Sequence, residues 1–234
     1  MRIDGLSAAV SEFVKKVGGE LIPESNKAPS ADFLFRQENI VAELKTLEEE
    51  AIREHALKLQ PRVNEWMQRR QIMIYGRTAL ELKKVPATCQ REWLRILQAP
   101  VENKVRDANS QIRSTKADYH LPAAKGLLLM ANEGNLLYEA PSDYLAVVSR
   151  VLQKKTQRGE LRFSEINAVV YLSIRAVRNG MLPVWQAGFV DMADQELQEF
   201  VTALQQQWFA FLNRGRLVPE RKSSDGGYQP IPRH

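Results

Sequence analysis

The stretch ADFLFRQENIVAELK, residues 31–45, holds two short apolar runs separated by the polar segment Arg36–Asn39. Each run carries a carboxylate, Asp32 in the first and Glu43 in the second, and Lys45 follows two residues on. The aromatic and β-branched content predicts two strands, about 31–35 and 40–45, joined by a turn. Side chains alternate faces along a strand. Val41, Glu43 and Lys45 therefore share one face, and Asp32 shares a face with Leu34. A two- or four-residue loop centred between Gln37 and Glu38 pairs residues whose numbers sum to 75, so that Leu34 opposes Val41 and Asp32 opposes Glu43. Opposed Cβ atoms lie about 4.5–5.5 Å apart, and like charges there are destabilising. A divalent cation removes the conflict, because Mg²⁺ takes carboxylate oxygens at about 2.0–2.1 Å. Lys45 on the same face can steady a metal-bound water or the charge developing on a phosphate. An odd-length loop would send one carboxylate to the other face, so the loop length decides the geometry.

Outward from the hairpin, Leu6, Val10, Phe13, Val14 and Val17 predict an amphipathic helix over 6–17, ended by Gly18-Gly19. Residues 20–23 suit a short strand. Residues 46–84 read as helical with a break near Pro61, and the run Glu48 to Glu50 suits the N-terminus. Further helices are expected over about 88–97 and 101–117. The apolar run at 126–131 reads as a buried strand, followed by a turn at 132–135. Ser142 is the expected cap of a helix to about 153. Strands are expected at 166–174 and 183–190. Asp191 is the expected cap of a long helix closed by Gly215. This order predicts an α/β fold, a mixed sheet flanked by helices. Its core would be 1–46 and 101–213, with 47–100 as a helical insertion and 214–234 as a flexible polar tail.

The chain has 234 residues and a net charge of +5. Residues 51–117 hold 14 Lys/Arg against 6 Asp/Glu, so the positive charge is concentrated there. Such an excess suits a phosphate-backbone partner. Arg62, Arg69, Arg70 and Arg77 are the candidate nucleic-acid contacts, near Trp66 and Tyr75. Trp66 is also the expected core residue of this segment. No apolar run approaches the roughly 18–20 residues of a membrane helix, and the N-terminus lacks the apolar segment of a secretory signal. The single cysteine, Cys89, permits no internal disulfide and suits a reducing cytoplasm. His55, His120 and His234 form no zinc motif, and no phosphate-binding glycine loop is present. A homo-oligomer is compatible with the sequence.

The constellation Asp32…Glu43-Leu44-Lys45, on a hairpin preceded by a helix, resembles the signature of the PD-(D/E)XK nuclease superfamily, the restriction-endonuclease-like fold. The residue before Asp32 is Ala31 in place of proline. The resemblance implies that Asp32 and Glu43 bind Mg²⁺ or Mn²⁺ and that Lys45 assists the attacking water. The reaction would be phosphodiester hydrolysis, with DNA the expected substrate. It also implies a further glutamate on the first helix, Glu12 by position with Glu20 as its rival. Some members place a glutamine on the helix after the hairpin, where Gln111 stands. The alternative is a non-catalytic nucleic-acid-binding or assembly protein on the same fold.

Overall fold

Leu6, Ala9, Val10, Phe13 and Val14 recur at helical spacing and bury one side of α1 (Leu6–Lys16). The computed structural model describes residues 5–23, 29–48, 50–74, 84–135, 138–177 and 180–214. The helix stops at Gly18, whose φ of +90° lies in the left-handed region. Three antiparallel strands follow: β1 (Glu20–Leu21), β2 (Phe33–Phe35) and β3 (Ile40–Glu48). A long excursion through α2 (Glu50–Gln68) and α3 (Ala87–Asp118) returns the chain to β4 (Lys125–Glu133), which lies parallel to β3. A second crossover, α4 (Pro141–Leu152), leads to β5 (Ala168–Val177), parallel to β4. β6 (Gly180–Phe189) then pairs antiparallel with β5, and α5 (Gln195–Arg214) follows. The result is an α/β fold with an open, mixed sheet of six strands in the order β1-β2-β3-β4-β5-β6 and five helices among the described residues.

Strand alternation sorts the core into two layers. On one face, Phe33, Phe35, Ala42, Leu129 and Val170 meet α1 and α5 through residues such as Phe13 and Trp208. On the other, Leu34, Val41, Leu128, Met130 and Val169 meet Val101, Val105, Ala108 and Ile112 of α3 and the apolar side of α4. A third, smaller cluster joins α2 to the first half of α3 through Val63, Trp66, Cys89 and Trp93. Gly126 shows how closely β4 is packed. A Cβ there would stand 1.8 Å from the Glu165 carbonyl oxygen. The Asn167 side chain also accepts the Gly126 N–H at 2.8 Å.

Several boundaries differ from the sequence expectation for identifiable reasons. α3 is one helix across both expected segments, with Pro100 inside it. Proline removes one helical hydrogen bond and crowds the preceding turn. Burial on both sides, Trp93 before it and Val101 and Val105 after it, holds the axis together. The expected edge of the insertion at 100/101 therefore falls within α3. β3 runs to Glu48, beyond residue 45, because β4 pairs with it all along, ending at Glu48↔Glu133. α2 accommodates Pro61 and ends at Gln68, and Arg70 adopts a φ of +55°. α4 begins with Pro141 at its first turn and Ala140 before it, so Ser142 does not cap it. Asp194, not Asp191, accepts the N–H of Leu197 in the first turn of α5. Asp191 instead accepts the N–H of Ala193 in the preceding turn. Gly215, the tail and Arg77 lie outside the described residues. No helix among the described residues is long and apolar enough to cross a membrane.

Candidate active site

β2 and β3 are joined by the four residues Arg36–Asn39, with Asn39 at a φ of +55°. Asparagine tolerates that region better than most residues. The turn is even-numbered, and the observed pairs are Phe33↔Ala42, Leu34↔Val41 and Phe35↔Ile40. All three obey the sum of 75. β2 begins only at Phe33, so the ladder stops at Phe33↔Ala42, the expected Asp32↔Glu43 strand pair is not formed, and the Leu44 N–H has no partner on β2. The Asp32 carboxylate takes that place, accepting the Leu44 N–H through Oδ2 at 2.8 Å. The Asp32 carbonyl accepts the Ile22 N–H at 2.9 Å, tying the residue to the chain after β1.

Glu43 lies on the face covered by α3 and is 1% exposed. Its Oε1 pairs with Lys45 Nζ at 2.6 Å. Its Oε2 is buried and receives no hydrogen bond from a donor group; the Asp32 carboxyl beside it can share a proton with Glu43, which favours the protonated form. Burial is the main reason its pKa is pushed up to about 7, and the charge of nearby Asp32 adds to that. The Lys45 ammonium works in the opposite direction. Burial and a second carboxylate both favour the neutral acid, and one lysine does not fully offset them.

Lys45 is held from two sides. Besides Glu43, it donates to Gln111 Oε1 at 2.6 Å. Gln111 also donates through Nε2 to the Ser30 carbonyl at 3.1 Å. One helical turn further along α3, Thr115 Oγ1 accepts the Ala31 N–H at 2.8 Å. α3 therefore fastens the segment carrying Asp32 and also orients Lys45. Ser30 and Thr115 carry no signal in the sequence, because their roles depend on the approach of a helix more than 80 residues away in the chain.

The other expected site residues are placed elsewhere. Glu12 is on α1, which covers the opposite face of the sheet, and it pairs with Lys16 at 2.8 Å. Among the described residues no contact joins Glu12 to Asp32 or Glu43, so the structure does not bring it to the hairpin. Glu20 pairs with Arg36 at the exposed sheet edge. Arg62 and Arg69 both pair with Glu65, the former at 2.8 Å, and the hydrogen bond from Arg62, together with the charge of Arg69, holds that carboxyl below its usual pKa. Arg70 is exposed just past α2. Trp66 is 1% exposed and donates to Glu92 at 3.0 Å, so it is a core residue between α2 and α3. Among the described residues no group of three or more His, Cys, Asp or Glu side chains converges.

No protein-family model matches this chain, and no curated protein or solved structure matches it.

Proposed function

We propose that the hairpin is the active site of a divalent-metal-dependent nuclease of the restriction-endonuclease-like class, hydrolysing phosphodiester bonds of DNA. The observation that carries this reading is the buried Oε2 of Glu43, which receives no hydrogen bond from a donor group, beside Asp32. A buried carboxylate oxygen with no donor is costly, and a cation shared with Asp32 would relieve it. The donor set fits Mg²⁺ or Mn²⁺: carboxylate oxygens, with coordination positions left for water. When bound, such an ion would acidify a water and neutralise charge on the phosphate.

The chain's own residues would do the rest. Asp32 and Glu43 would hold the ion. Lys45, fixed by Gln111 and Glu43, would present its ammonium to a water or a phosphate oxygen at the same face. Glu43 must be ionised to act as a ligand. With its pKa near 7, cation affinity should rise up to about pH 7 and level off above it.

A Mn²⁺ titration at pH 8, read by thermal unfolding, tests the cation's part. A ligand bound only by the native state adds about 2.7 kcal/mol at a 100-fold excess over Kd. The wild type should show a saturable rise in Tm that Asp32→Ala and Glu43→Ala both lack. An equal rise in all three proteins would show that the cation binds elsewhere.

A further inference from the structure

The segment after α4, residues 153–162 (QKKTQRGELR), forms an exposed basic finger. Its arms are joined by the bridge Lys155↔Leu161 and by the Arg162 N–H donating to the Lys154 carbonyl at 2.8 Å. Its tip is a tight turn in which the Thr156 N–H donates to the Glu160 carbonyl at 2.8 Å. The Gly159 N–H donates to the Thr156 carbonyl at 3.0 Å. Gly159 has a φ of +85°, which suits only glycine without strain. The finger thus has a defined shape without an apolar core of its own.

Its base is clamped to α3. Lys154 and Arg162 reach Glu102 from either arm, at 2.5 and 3.0 Å. The chain then stays on α3: Asn109 accepts the Glu165 N–H at 3.0 Å, and Lys116 pairs with Glu165 at 3.0 Å. Glu102, Asn109 and Lys116 are seven residues apart, so they mark one flank of the helix. Glu102 and Glu165 are each met by two cations, the latter also by Arg113. Among the described residues, Lys155 and Arg158 at the tip and Arg106 on α3 have no acidic partner. Glu160 is the one acid of the tip.

Gln111, which holds Lys45, lies two positions past Asn109 and so about 200° around the helix. The hairpin site and the finger therefore stand on opposite flanks of α3. The exposed crest between them carries Asn103, Arg106 and Ser110, with Asp107 as its acid. Arginine and small polar side chains of this kind contact phosphate and sugar.

Resting on the nuclease reading, we infer that the finger is a second backbone-binding site for the nucleic acid cleaved at the hairpin, reached by a strand lying across the crest of α3. The helix with its side chains is about 10–12 Å thick. The ligand must therefore extend at least three or four nucleotides, at about 3.4 Å per nucleotide along a strand.

The test is fluorescence anisotropy of a duplex of about 30 base pairs over a salt series, long enough to cover both flanks. It uses the full chain with Ca²⁺ in place of Mg²⁺. Lys155→Glu with Arg158→Glu should weaken binding at least tenfold and make the salt slope shallower by about two. The same charge change on α1, Lys15→Glu with Lys16→Glu, lies on the other face of the sheet and should have a much smaller effect. No loss at the finger, or an equal loss from both variants, overturns the inference. A finger-dependent loss of binding in a protein that cleaves nothing would overturn the nuclease reading and leave the finger standing as a binding surface.

Discussion

Without a cation, Glu43 ties the stability of the fold to pH. Its proton is bound more tightly in the folded state, with the pKa raised from 4.5 to about 7. The stability linked to that proton is fully present below about pH 4.5 and is lost as pH rises through about 7. The loss amounts to at most about 3 kcal/mol, since a tenfold difference in proton affinity is worth about 1.4 kcal/mol. Glu43→Gln removes the buried charge. In EDTA at pH 8.5 the variant should unfold at a higher temperature than the wild type, and at pH 5 the difference should shrink. A variant less stable than wild type at pH 8.5 would show that the ion pair with Lys45 outweighs the burial. Gln111 accepts a hydrogen bond from Lys45, so on the proposed nuclease reading Gln111→Ala should lower kcat about 10–100-fold, in the range seen when supporting partners of a site are removed. KM should change little, which a steady-state comparison checks. At this scale the sequence showed the carboxylates, the lysine and a glutamine on the right helix. It did not show the clamp from Ser30 and Thr115, because that depends on how α3 docks.

At the scale of elements, the two strands of the hairpin were legible because their signals are local, but the loop length was not. The structure supplies the even turn Arg36–Asn39, and with it the register. Inserting one glycine between Gln37 and Glu38 should therefore shift the pairing and abolish the Mn²⁺-induced rise in Tm. A retained rise would mean that the site does not depend on this register. α3 was less legible, because Pro100 is a local stop signal that burial on both sides overrides. The finger was missed for another reason. Its four cations were averaged with distant acids once charge was counted by long segments. The cluster joining α2 to α3 is small and separate from the two sheet-facing cores. Trp66→Ala should cost about 3–5 kcal/mol locally, as large-to-small core changes do. Hydrogen exchange should then speed up in α2 while β3, β4 and β5 stay protected. Uniform loss of protection would contradict the independence of that cluster.

For the whole molecule, the sheet divides the labour. One face, under α1 and α5, is apolar packing. The other, under α3 and α4, carries Glu43 and Lys45 on β3. This explains why Glu12, plausible by its place on the first helix, stays away from the carboxylates. It also explains why α3 matters most: it covers the face that carries Glu43 and Lys45, fastens the Asp32 segment and anchors the finger. The sheet order itself was only partly readable, because pairing between β3 and β4 spans the whole α2–α3 excursion. The most direct measurement is the rate at which the purified chain cleaves a panel of duplex, single-stranded and branched DNA and RNA in Mg²⁺ or Mn²⁺. Glu43→Ala and EDTA serve as controls. Cleavage of at least one DNA form is expected, abolished by EDTA and reduced at least about a thousandfold by Glu43→Ala, the scale of an electrostatic catalytic group. Cleavage at an undiminished rate by Glu43→Ala, or no cleavage of any substrate by the wild type, would contradict the account.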